Sequence, residues 1–270
     1  MISLGTKSRS GEMGMNKNKG KLPDFIVCGF QKCGTSALQH NLAHHPKISV
    51  ATTDHEKCKI SFGKEINFFS HDETISTNYE GVDWYKSHFK SDGNLWGEIS
   101  PSYADWTGKG NLNRMHSVLG NHTKFIFSLR NPIHRAFSSF NHYLQLYKYE
   151  DIHWGDWRPD KSFEYNIRNH FYDFFKPYEF VLRTYEDIFF RERMCVIVQE
   201  KLSQGAEYNK IFKYLGVEDF VVNNERHHAR KYEYEFSESD TAVCHELMHK
   251  DVNHLFDWLG YEIKEWPEFC

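Results

Sequence analysis

The sequence predicts a single α/β domain, with a central, mainly parallel β-sheet flanked by helices on both faces. Two observations carry this reading. Apolar runs of strand length at 24–29, 95–99, 124–129 and 194–199 alternate with helical patterns at 35–44, 132–147, 178–190, 201–215 and 240–259. The first strand also passes through a short Gly/Lys/Thr/Ser turn directly into a helix, at the sheet end where such folds bind ligands. With 270 residues, 40% apolar and 16% aromatic, the chain can bury one large core.

In chain order, Met1–Lys21 is rich in Gly, Ser, Lys and Asn and holds no apolar run long enough for a signal sequence. It is expected to be a disordered leader, with the domain spanning 22–270. No secretory or transmembrane segment is visible. The chain is therefore read as cytoplasmic, the alternative being a protein whose membrane anchor has been removed.

Residues Phe25-Ile-Val-Cys-Gly-Phe-Gln-Lys-Cys-Gly-Thr-Ser-Ala-Leu38 place a buried strand, a glycine turn and a helix start in succession. The first amides of a helix lack internal partners and carry the positive end of its dipole, so such a turn cradles a phosphate. Lys32 adds a mobile charge, and Thr35 and Ser36 add hydroxyls. The arrangement is P-loop-like but departs from G-x-x-x-x-G-K-[ST]. Gly29 and Gly34 have the right separation, yet Thr35 follows Gly34 and the lysine stands two residues before that glycine. No motif fixes a magnesium-holding carboxylate. The cradle suits an anion without looking built for Mg-ATP.

Further on, Lys124-Phe-Ile-Phe-Ser-Leu-Arg-Asn-Pro132 reads as a buried strand ending in Arg-Asn-Pro. A helical run follows, in which Ser138 stands eight residues after Arg130. The displaced lysine with Gly34-Thr35-Ser36, and this Arg/Ser pair, resemble the two phosphate-binding motifs of sulfotransferases that use 3′-phosphoadenosine 5′-phosphosulfate (PAPS). Lys64-Glu-Ile-Asn-Phe-Phe69 resembles the Lys-Glu-x-x-Phe-Phe stretch of heparan-sulfate-type members, and Trp96-Gly-Glu-Ile-Ser-Pro-Ser-Tyr103 their Glu-Lys-(Ser/Thr)-Pro-x-Tyr segment. The resemblance runs from about Leu22 to the C-terminus. The chain departs from the pattern at Cys33, where glycine is usual, at Ile99, where lysine is usual, and at Asn67, where histidine or glutamine is usual.

The resemblance implies a PAPS-dependent enzyme that releases adenosine 3′,5′-bisphosphate (PAP) and needs no metal. Lys32, Cys33, Gly34, Thr35 and Ser36 would hold the 5′-phosphosulfate. Arg130 and Ser138 would hold the 3′-phosphate, a role suited to a planar, permanently charged guanidinium. Arg230 and Lys231 lie where the family places a third donor-binding loop. Glu65 would be the general base, and Lys32 would stabilise the leaving oxygen. Glu98, Asn67 and Trp154 are candidate acceptor contacts, although Glu98 would equally serve to orient Lys32 or stabilise the sheet end. The acceptor is a small molecule or an oligosaccharide carrying a hydroxyl or amine. A formal charge of −4 argues against a nucleic-acid partner.

Three other features invite competing readings. His245-Glu-Leu-Met-His249 is a literal H-E-x-x-H, so a zinc metallohydrolase with Glu246 as base is one alternative. Val243, Leu247, Val252, Leu255, Phe256 and Leu259 instead make this an amphipathic packing helix with both histidines near its edge. A nucleotide-binding module without turnover is the other alternative. The six cysteines, at 28, 33, 58, 195, 244 and 270, show no C-x-x-C pairing and are expected as thiols. The stretch from Tyr147 to Pro159 is read as a long loop whose aromatics pack beneath it or wall an acceptor cleft.

Overall fold

The computed structural model describes residues 20–54, 63–70, 76–105, 109–150, 155–222 and 232–270. Five strands, β1 (Phe25–Gly29), β2 (Ile48–Val50), β3 (Leu95–Ile99), β4 (Lys124–Leu129) and β5 (Met194–Val198), form one sheet in the order β2-β3-β1-β4-β5. Every pairing is parallel. The expected fold class is borne out. Its crevice lies where the order reverses, because β1 has β3 on one side and β4 on the other and the chain leaves all three at the same, carboxyl end of the sheet.

Strand alternation sorts the core onto the two faces. Ile26, Cys28, Phe125, Phe127, Leu129, Val196 and Val198 point to one side. There they meet helices α4 (Lys109–Leu119), α5 (Pro132–Glu150), α8 (Tyr178–Phe189) and α11 (Glu238–Leu259). Phe25, Val27, Ile126, Cys195 and Ile197 point the other way, onto α1 (Thr35–Ala43) and α10 (Ala206–Leu215). Short helices α2 (Val82–Ser87), α3 (Ser102–Asp105), α6 (Phe163–Asn169), α7 (Phe171–Phe174) and α9 (Gln199–Leu202) fill the connections.

The element reading needs four corrections. β2 has three residues and sits at the sheet edge, too short to show a period. The helices at 82–87, 102–105, 109–119, 163–169 and 171–174 lie in segments with no clear pattern. The helix expected over 201–215 is two, because Gly205 takes φ 80 and opens a new N-terminus. Finally, α5 continues to Glu150, so the first part of the expected 147–159 loop is helical. Trp157, from the same stretch, is fully buried against Phe140, Tyr143 and Phe174, whereas Tyr149 is exposed. The expected leader lies outside the described residues except for its last two. Of these, Lys21 donates its N–H to the Phe89 carbonyl and pairs with Asp24 at 2.5 Å.

No helix among the described residues is long and apolar enough to cross a membrane. Among these residues Cys28, Cys33, Cys195, Cys244 and Cys270 are not in disulfides, the first four being buried.

Candidate active site

The turn after β1 is shaped by close approach. Gly29 has φ 129, and a Cβ there would stand 2.8 Å from the Pro101 carbonyl oxygen, so any side chain would push β1 away from the loop after β3. Lys32 and Gly34 both take left-handed φ, 63 and 79, and flank Cys33. At Gly34 a Cβ would come within 2.9 Å of Gln199 Cγ on α9, so the glycine permits both the backbone turn and the packing of α1.

The turn's carbonyls are each taken by a side chain from beneath. Ser128 Oγ donates to the Cys33 carbonyl at 2.7 Å, Arg130 Nη1 to that of Lys32 at 3.0 Å, and Arg135 Nε to that of Gln31 at 3.1 Å. Helix geometry leaves the amides of Thr35 and Ser36 without intrahelical acceptors, at the positive end of α1. The result is a turn with engaged carbonyls beside donor-rich amides, the arrangement an anion needs. Lys32, Gly34 and Thr35 are half-buried and Ser36 is exposed. Cys33 departs from its expected role in one respect. Its thiol is fully buried, 3.7 Å from the Tyr178 hydroxyl, so only its backbone can face a ligand.

β4 delivers Arg130 to the same crevice. Its peptide N–H donates to Tyr178 Oη at 3.4 Å, and its carbonyl accepts from that hydroxyl at 2.8 Å. Asn131 caps α5, its Oδ1 accepting from the amides of Ile133 and His134 at 3.0 and 3.4 Å. Ser138 lies two turns into α5, 5% exposed, its hydroxyl accepting from Tyr232 Oη at 3.4 Å. Arg135 sits between these elements with 2% exposure, its guanidinium 4.8 Å from the Phe30 ring centre and 5.2 Å from that of Tyr178. Its alignment with both the turn and α5 could not be read from spacing. The only trace in the sequence is a charge on an otherwise apolar helix face.

Glu65 lies on an irregular segment held by side chains from several elements. Gln39 Nε2 donates to the Lys64 carbonyl at 3.5 Å, Thr77 Oγ1 to that of Ile66 at 2.9 Å, and Arg114 Nη2 to that of Phe68 at 2.8 Å. Asn67 is the centre of this segment, fully buried and at φ 56. Ser102 Oγ donates to its Oδ1 at 2.7 Å, which turns its Nδ2 toward Glu65 Oε2 at 3.4 Å. The Gln39 bond thus ties the residue before Glu65 to α1, and Ser102, acting through Asn67, ties Glu65 to α3.

Glu98 is not at the surface of the crevice. It is fully buried, accepting from Tyr85 Oη at 2.5 Å, Ser100 Oγ at 2.8 Å and Tyr103 Oη at 3.2 Å. Burial lifts its carboxyl to about 7, against three hydroxyls that favour the charged form. Ser100 Oγ also accepts the Asn67 amide N–H at 3.2 Å. Glu98 is thus set back from solvent, and its bonds tie the end of β3 to α2 and α3. Trp154, Arg230 and Lys231 lie outside the described residues.

A family model described as a sulfotransferase domain matches residues 22–230. The chain belongs to the sulfotransferase family. Members transfer sulfuryl groups, which agrees with the order of the motifs along β1, β3 and β4. A similar curated protein is the bifunctional heparan sulfate N-deacetylase/N-sulfotransferase 1 of Caenorhabditis elegans, 35% identical over 131 residues, covering 48% of this chain and 14% of that protein. The membrane-associated sulfotransferase kil1 of Dictyostelium discoideum is 33% identical over 132 residues, covering 47% and 24%. The chain therefore spans less than a quarter of the length of either relative. Among solved structures, a sulfotransferase from Alicyclobacillus acidocaldarius superposes with TM-score 0.66 at 24% identity, covering 91% of this chain and 99% of that one. This last likeness shows the shared fold.

The zinc reading is not favoured. His245 and His249 are exposed on α11 with rings 5.8 Å apart, and His245 stacks on Phe269. Glu246, the would-be base, is held by Arg168 through two bonds of 2.9 and 3.1 Å. Among the described residues no group of three His, Cys, Asp or Glu side chains could hold a metal.

Proposed function

We propose that this protein transfers the sulfuryl group of PAPS to a hydroxyl or amine of a carbohydrate-class acceptor and releases PAP. One observation carries the reading. Arg130 reaches across from the end of β4 to the Lys32 carbonyl at 3.0 Å, so the expected 5′-phosphosulfate turn and the expected 3′-phosphate residue belong to one crevice. The donor's chemistry fits these residues, with left-handed backbone and helix amides on one side and a guanidinium with a serine hydroxyl on the other.

When bound, PAPS supplies an activated sulfuryl group and an anionic leaving group. Lys32 and the amides of Gly34, Thr35 and Ser36 would hold the 5′ end, and Arg130 with Ser138 the 3′-phosphate. Glu65 would accept the proton of the attacking hydroxyl or amine as the heteroatom–sulfur bond forms and the bond from sulfur to the bridging oxygen breaks. Lys32 would stabilise the charge that grows on that oxygen. Asn67, buried behind Glu65, would hold its carboxylate in place. The carbohydrate class is supported by the named activity of the nematode relative.

The direct test is transfer of radiolabelled sulfate from PAPS to a panel of N-acetylated and N-unsubstituted polysaccharides, small alcohols and amines, with mass detection of products. A product on a polysaccharide supports the reading. A product on small alcohols alone would refute the carbohydrate class, and no PAP release with any acceptor would refute the reaction.

A further inference from the structure

The segment after α11, residues 260–270, lies beyond the stretch that the sulfotransferase family model matches. It is not a loose end. Ile263 and Trp266 are fully buried, and the Trp266 amide closes a turn onto the Ile263 carbonyl at 2.9 Å.

Trp266 touches the two residues whose side chains hold the backbone of the Arg130–Asn131 corner. Its ring stacks on Tyr178, centres 6.1 Å apart, and Tyr178 Oη bonds the N–H and carbonyl of Arg130. Its Nε1–H donates to Glu200 Oε2 at 3.2 Å, and Glu200 Oε1 accepts the Asn131 amide N–H at 2.8 Å. Two residues further on, Glu268 Oε2 accepts from Asn131 Nδ2 at 2.9 Å. Lys201 pairs with Glu265 at 3.1 Å and secures the segment to α9.

The geometry matters because Arg130 has two tasks. Its guanidinium clasps the Lys32 carbonyl and must also present donors to a phosphate. A planar fork serves both only if its backbone origin is fixed. Tyr178 and Glu200, the side chains that hold that origin, both pack on or bond to Trp266, and Glu268 holds the Asn131 side chain beside it. We infer that Trp266 and Glu268 are positioning residues for Arg130, and that this terminal segment sets the enzyme's preference for a 3′-phosphorylated nucleotide.

The inference rests on Arg130 as the 3′-phosphate contact, and the experiment separates the two. Affinities for PAP and for AMP are measured by calorimetry on wild type and on Trp266→Phe, Glu268→Ala and Glu268→Gln, with thermal unfolding of each protein. Trp266→Phe keeps the ring but removes the bond to Glu200. Glu268→Ala removes the acceptor of Asn131 Nδ2, and Glu268→Gln retains a carbonyl there.

Wild type is expected to prefer PAP. Trp266→Phe and Glu268→Ala should each lose about tenfold of that preference, the order expected for a lost bond to a charged group, with AMP affinity changed much less. Glu268→Gln should keep it. A wild type without preference would overturn both the Arg130 assignment and this inference. A wild-type preference carried unchanged by folded Trp266→Phe and Glu268→Ala would overturn the inference alone. Equal weakening of PAP and AMP would mean a merely structural brace and would also overturn it.

Discussion

Arg130 donates Nη1–H to the backbone carbonyl of Lys32 at 3.0 Å, joining the end of β4 to the turn after β1. A residue expected to bind one phosphate therefore also shapes the site for another. This bond links the two proposed phosphate sites, so a change at Arg130 should be felt at both.

Arg130→Ala is accordingly expected to cost PAP more than AMP, but to cost AMP as well. The charge-assisted contact is worth roughly 1.5–3 kcal/mol, and a further fraction should appear in AMP binding through the released turn. Calorimetry with both nucleotides checks this. Unchanged AMP affinity would show that the clasp onto Lys32 has no part in donor binding.

Glu65→Gln should lower single-turnover transfer about 10²–10⁴-fold at saturating donor, because the amide keeps the shape but cannot take the proton. PAP affinity should hardly move. Lys32→Ala should damage both quantities, since one ammonium would serve the bound phosphosulfate and the charge that develops later. Near-normal turnover in Glu65→Gln would place the base elsewhere.

The buried Glu98 predicts a pH dependence of stability. Its folded carboxyl titrates at about 7, above the ordinary 4.5. Between these values the folded protein keeps a proton that the unfolded chain has released, so stability is full below about 4.5 and falls as pH rises toward 7. The loss from this group is about 3 kcal/mol across the window. In Glu98→Gln that contribution should vanish. Urea unfolding of both proteins at several pH values tests it, and a stability difference that stays constant with pH would contradict the assignment.

The exposed histidines of α11 make a contrasting prediction. His245→Ala and Glu246→Ala should leave transfer unchanged, and chelators should not inhibit it. Glu246 is already committed to Arg168, and such an exposed pair contributes little. Loss of activity in His245→Ala together with loss of one equivalent of zinc would revive the metallohydrolase reading.

The sequence by itself determined the frame. Strand-length apolar runs placed β1, β3, β4 and β5, and the glycine–lysine turn and the Arg-Asn-Pro strand end marked β1 and β4 as the edges of the crevice. These features are local, since burial periodicity and turn chemistry act over a few residues. They also sufficed for the family.

What the tertiary structure decided is which side chains support those marked positions. Glu98 stood in a motif and looked available to a substrate, yet three hydroxyls from α2, the β3 end and α3 enclose it. Cys33 occupies a cradle position but turns its thiol inward to Tyr178. Tyr178, Glu200 and Trp266 share no motif and are separated by 22 and 66 residues, respectively, along the chain, yet they meet around one peptide corner. Such contacts depend on how helices pack across the sheet, and no short-range pattern encodes them. A lone buried aromatic or carboxylate reads the same in sequence whether it fills core or braces the backbone of an arginine at the crevice.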